Sequence, residues 1–117
     1  MEFNIKTSQE EFYFNYLLAL NGTLKLSNKE LMILSEFIKY FIKYMDEPEL
    51  VFSSTIRKKV QDRLKISSFN VNNYIKSLKQ KGIIFSKNNI LYINSNVIPR
   101  MDQNGNIRIV FNFIVNK

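Results

Sequence analysis

IRKKVQDRLKISSFNVNNYIKSLKQKGIIFSKNNILYIN, residues 56–94, switches from helical to extended apolar spacing once, and that switch decides the fold. Ile56, Val60 and Leu64 recur every four residues, the spacing of one helix face, with Arg57, Lys58, Lys59, Gln61 and Arg63 mostly outside it. Lys65-Ile66 is a tight connection. Ser67 or Ser68 then caps a further helix with the inward stripe Val71, Tyr74, Ile75 and Leu78. That helix ends at Lys81, because Gly82 supplies the left-handed residue that terminates helices. Ile83–Ser86 reads as a strand, Lys87-Asn88-Asn89 as a turn and Ile90–Ile93 as the return strand.

Charge is concentrated in the same stretch. Residues 57–87 hold nine of the 17 Lys+Arg residues and one acid, Asp62, for a net +8. Residues 1–56 carry a net −3 and residues 88–117 a net +2. Asn, Ile, Lys, Phe and Tyr are abundant, as A/T-rich codons dictate, so the overall +7 says less than the placement of the charge. A positive face on two short helices and a hairpin suits a phosphate backbone.

Outward from this block, Ser27-x-x-Glu30 is a capping box that opens a helix over 28–45. Leu31, Leu34, Ile38, Phe41 and Met45 form one apolar seam and Ile33, Phe37, Tyr40 and Tyr44 a second. Lys29, Glu36 and Lys43 are left as a narrow polar stripe. Such a helix packs on two sides, one against the body of the domain and the other against either the first helix or a second copy of the chain. Residues 8–21 read as that first helix, with Ser8 as cap, Phe12, Tyr16, Leu17 and Leu20 as its stripe and Asn21-Gly22 as its end. A strand through Phe12, Phe14 and Tyr16 is the competing reading. Residues 2–6 suggest a short strand, Asp46–Glu49 a turn, Leu50-Val51-Phe52 another short strand, and Ser53 or Ser54 the next cap. Asn104-Gly105 is a hairpin signal before a long alternating strand from Ile107 to Val115.

The order helix, short strand, helix, tight turn, helix, hairpin resembles winged helix-turn-helix DNA-binding proteins. The likeness is to the reading heads of MarR-like and plasmid-replication proteins and to small phage-encoded regulators. Leu64, Ile66-Ser67, Val71, Leu78-x-x-x-Gly82-Ile83 and the following hairpin carry it, over about residues 24–94. The chain departs from MarR-like proteins in ending on a strand where they have a long dimerisation helix. The expected fold is a single α+β domain: an N-terminal helical extension (1–26), a winged-helix core (27–94) and a C-terminal hairpin (95–117).

The resemblance implies double-stranded DNA as partner. Ser68, Asn70, Asn72, Asn73 and Lys76 would read bases, since Asn pairs bidentately with adenine and Lys reaches guanine. Phe69 either plugs the core between the two helices or stacks on a sugar. Arg57, Lys58, Lys59, Arg63, Lys65, Lys79, Lys87, Asn88 and Asn89 would contact the backbone, with Lys81 as a further positioning contact. The implied role is a transcriptional regulator or replication-initiation factor. The alternative is a protein-interaction module on the same scaffold, favoured by the apolar surplus of the first two helices and the last strand, which are also the candidate homodimer surfaces.

With no Cys and no His, a disulfide framework, a Cys/His zinc site and Cys or His catalysis are excluded. Three glycines make no phosphate loop, and Asp46, Glu47 and Glu49 sit in one turn, unlike a nuclease metal cluster. No enzyme activity, metal, cofactor or small-molecule ligand is therefore expected. MEFNIKTSQEEF lacks the pattern of a signal peptide, and Glu36, Lys39 and Lys43 interrupt the longest apolar run. The expected location is the cytoplasm of a bacterial host cell.

Overall fold

The computed structural model describes Ser8, residues 11–100, residues 103–107 and Val115. Within them the chain is α+β, with four α-helices and one two-stranded antiparallel sheet: α1 (Phe12–Leu24), α2 (Asn28–Lys43), α3 (Ser54–Leu64), α4 (Ser68–Gln80), β1 (Ile84–Lys87) and β2 (Ile90–Ile93). The expected strands over 2–6 and 107–115 lie outside the described residues, apart from Ile107 and Val115.

Three of the four helices, α2, α3 and α4, start where a serine side chain accepts a backbone N–H. The Ser27 hydroxyl accepts from Glu30 N–H, and Glu30 returns a carboxylate to Ser27 N–H, closing the capping box. The hydroxyls of Ser53 and Ser67 likewise accept from Ile56 and Asn70 N–H at the starts of α3 and α4, without the reciprocal carboxylate. For α1, Ser8 accepts from Glu11 N–H at 3.3 Å, but the helix proper begins at Phe12.

Asn21-Gly22 does not end α1. The helix continues to Leu24 and stops at Lys25, whose backbone is left-handed at φ 56°. Asn21 instead clasps the connection: its side-chain amide donates to Leu26 C=O and accepts from Leu26 N–H, at 3.0 and 2.8 Å. Lys65 ends α3 with the same left-handed backbone. At the end of α4, Ile83 N–H reaches Leu78 C=O and Gly82 N–H reaches Lys79 C=O, a Schellman arrangement that requires the positive φ of Gly82.

Leu50-Val51-Phe52 is not a strand. Pro48–Leu50 forms a 3-10 turn, with Leu50 and Val51 N–H bonding back to Glu47 and Pro48 C=O. Proline presets the helical φ, and among the described residues no strand pairs with the segment. Its apolar side chains plug the core: Val51 is fully buried, and Phe52 stacks on Phe37 at 4.5 Å.

The hairpin pairs Ile84 with Ile93, Phe85 with Tyr92, Ser86 with Leu91 and Lys87 with Ile90. Lys87 therefore belongs to the strand, and Asn88-Asn89 alone make the turn. Both have positive φ, 54° and 64°, the type I′ geometry that matches strand twist and that Asn tolerates.

The core is continuous. Leu31, Leu34, Phe37 and Ile38 of α2 meet Val60 of α3, Val71 and Leu78 of α4, Ile84 of β1 and Ile93 of β2. α1 packs against α2, with Leu17 fully buried. The first helix, one of the two expected partners of α2, thus lies against it within the chain.

Candidate functional site

Alpha-helical geometry sorts α4 into three longitudinal faces. Val71, Ile75 and Leu78 are buried. Phe69, Asn73, Lys76 and Gln80, spaced four, three and four apart, form an outward ridge and are all exposed. Asn72 and Lys79 lie on one flank of the ridge, Asn70, Ser77 and Lys81 on the other.

The first flank borders a depression of about 430 Å³ between α3, α4 and β2. Ile75 and Leu91 give it apolar lining, Arg57, Lys76 and Lys79 bring three cations, and Asn72 and Gln80 add amides. No carboxylate lines it. Arg57 is the hinge of this wall. Its Nε donates to Phe52 C=O at 2.8 Å, and a second guanidinium nitrogen donates to Asn72 Oδ1 at 2.6 Å. Because guanidinium has no acceptor, it is the Asn72 oxygen that faces Arg57 and the NH₂ that remains to donate. Asn72 is therefore oriented as a donor. This departs from the expected bidentate pairing, which needs the amide oxygen as well.

The opposite flank is tied down. Glu30, at the start of α2 and only 4% exposed, receives four donations or returns. Its Oε1 accepts from Lys81 Nζ at 2.7 Å and from Ser27 N–H at 3.0 Å, and its Oε2 accepts from the Ser77 hydroxyl at 2.7 Å, while its own N–H donates to Ser27. Burial alone would raise the carboxyl. The Lys81 ammonium, the Ser27 N–H and the Ser77 and Ser27 hydroxyls outweigh burial and hold it at about 2. Two helices far apart in sequence are thereby locked together.

Glu36 does the same for α3. It is buried, and its Oε1 accepts from Arg63 Nε at 2.7 Å while Oε2 pairs with Lys39. Glu36 is thus no part of a solvated polar stripe on α2. Arg63 ends on Glu36 and Lys81 on Glu30, and neither lines the depression. Lys58 is exposed but pairs with Asp62 one turn on. Among the described residues no buried side-chain nitrogen or oxygen lacks a partner.

Six of the nine cations between Arg57 and Lys87 have no carboxylate partner among the described residues: Arg57, Lys59, Lys65, Lys76, Lys79 and Lys87. Three of them, Arg57, Lys76 and Lys79, converge on the depression. Lys65 occupies the link between α3 and α4, Lys59 is exposed on α3, and Lys87 is exposed beside the hairpin turn. Ser68, Asn70 and Asn73 are exposed on α4, although Asn70 lies on the flank away from the depression. Asn88 and Asn89 are exposed, with a backbone reason for their identity already in the turn.

No family model, curated protein or solved structure matches the chain.

Sequence reasoning missed both buried carboxylates. Glu30 reads as a local capping residue, and Ser77 and Lys81 carry no sequence mark of a partner roughly fifty residues away. Phe69 plugs nothing: it is 71% exposed. Among the described residues no group of His, Cys, Asp and Glu can hold a metal, and no helix is long and apolar enough to cross a membrane.

Proposed function

We propose that the chain is a sequence-specific, duplex-DNA-binding protein of the winged helix-turn-helix type. Its α4 enters the major groove and the β1–β2 hairpin serves as the wing. A helix with its side chains matches a groove about 12 Å wide. The carrying observation is the separation of charge by side: carboxylates hold Arg63 and Lys81 away from the depression, while Arg57, Lys76 and Lys79 gather around it without an acid among them. A surface so arranged attracts a polyanion, and the amide-rich ridge beside it offers hydrogen bonds to base edges.

Roles follow from placement. Arg57, Lys59, Lys65, Lys79 and Lys87 contact phosphates and set register. Asn73, Lys76 and Gln80 face the bases, and Asn72 donates to a phosphate or base acceptor. Such a protein acts as a transcriptional regulator or replication-initiation factor. α1 packs on α2 within the chain, which takes up part of the apolar face that favours a protein-interaction module.

Titration of the protein with duplex DNA across salt concentrations tests this. Neutralising about five or six phosphates makes log Kobs fall against log salt with a slope of about −5. No binding at low salt, or a flat response, rejects the reading.

A further inference from the structure

We propose that Phe69 determines specificity by packing on the 5-methyl group of a thymine in the major groove. This rests on the duplex-DNA reading and adds the chemistry that Phe69 recognises. Phe69 lies in the first turn of α4, on the side away from buried Val71, and has no part in the core. Among the described residues, Phe85 is the other exposed phenylalanine and stacks on Tyr92 at 5.7 Å, whereas Phe69 has no aromatic partner there.

An exposed ring on a ridge that continues with Asn73, Lys76 and Gln80 is poorly suited to a lipid or an apolar protein groove, because those polar groups would be desolvated with it. A DNA major groove accepts both. Phosphates take the cations, and the thymine methyl is the apolar group displayed among the base edges. Asn73 follows Phe69 by four residues and therefore lies directly beside it on the helix. Asn73 can pair bidentately with adenine while Phe69 covers the methyl of a neighbouring thymine, so the two side chains together read A·T pairs.

The test begins by enriching duplexes bound by the wild-type protein from a pool with a randomised 20-base-pair region. Each thymine of an enriched duplex is then replaced singly by deoxyuridine, which removes only the methyl. One replacement is expected to weaken wild-type binding about four-fold, the worth of one buried methyl group. Phe69→Ala should lose at least as much on the thymine duplex and show no difference between thymine and uracil there, while Phe69→Leu keeps part of the difference. The proposal is overturned if no replacement affects the wild type, or if Phe69→Ala retains the difference. It is also overturned if Phe69→Ala changes the solution mass and leaves the difference intact, which assigns the ring to a protein contact. Failure to enrich any duplex, with no salt-dependent binding, instead rejects the duplex-DNA reading itself. Because Phe69 is largely exposed, the melting temperature of Phe69→Ala should match wild type.

Discussion

Replacing Glu30 with Gln keeps the side chain's shape and removes the charge at the junction of α2 and α4. The surroundings hold the Glu30 carboxyl at about 2, against 4.5 for an unperturbed glutamate. At about 1.4 kcal/mol per unit, the folded state favours the ionised form by about 3 kcal/mol. A depressed carboxyl contributes stability that is complete above the unfolded value near 4.5 and is lost as pH falls through about 2. Glu30→Gln should therefore cost about 3 kcal/mol at pH 7 by urea unfolding, or roughly 10 °C in melting temperature for a chain of this length. The gap between wild type and variant should narrow steadily below about pH 4.5 and nearly close by about pH 2. Subtracting the variant removes the shared titration of the other carboxylates. A loss under about 1 kcal/mol at pH 7, or a gap that does not narrow with acid, refutes the argument that Glu30 is an ionised lock on α4.

Three more predictions follow from the same geometry. Arg63→Ala should destabilise the fold by on the order of 1 kcal/mol, since it leaves buried Glu36 with Lys39 alone, while Lys58→Ala in its exposed pair should fall within about 0.5 kcal/mol; chemical denaturation compares the two. In salt titrations with duplex DNA, Lys79→Ala should flatten the slope by about one, whereas Arg63→Ala and Lys81→Ala should leave it unchanged. Gly82→Ala has room for its methyl group but must adopt φ +76°, so thermal melting should register a loss of about 1–2 kcal/mol.

Local signals in the sequence were legible because their partners lie within a few residues. Ser27, Ser53 and Ser67 each cap a helix through a backbone N–H three residues ahead, so the starts of α2, α3 and α4 stand in the chain itself. Gly82 and the Asn88-Asn89 pair mark backbone conformations that few other residues adopt. Even locally, two signals misled. Asn21-Gly22 has the composition of a helix end, yet Asn21 spends its amide on Leu26, and the helix runs one turn further. Val51 and Phe52 have strand composition, but burial against Phe37 uses the same residues without a strand.

The order of helices and hairpin, the caps of α2, α3 and α4 and the segregation of charge follow from the residues alone, because these depend on neighbours along the chain. Only the tertiary structure decided which charges face outward. Lys81 and Lys79 are indistinguishable as residues, yet Lys81 meets a carboxylate 51 positions away while Lys79 borders the depression without one. Arg57 and Arg63 differ likewise: one orients Asn72 at the depression and the other ends on buried Glu36 away from it. Electrostatic pairing depends on distance in space, and the packing of α2 beneath α3 and α4 sets those distances.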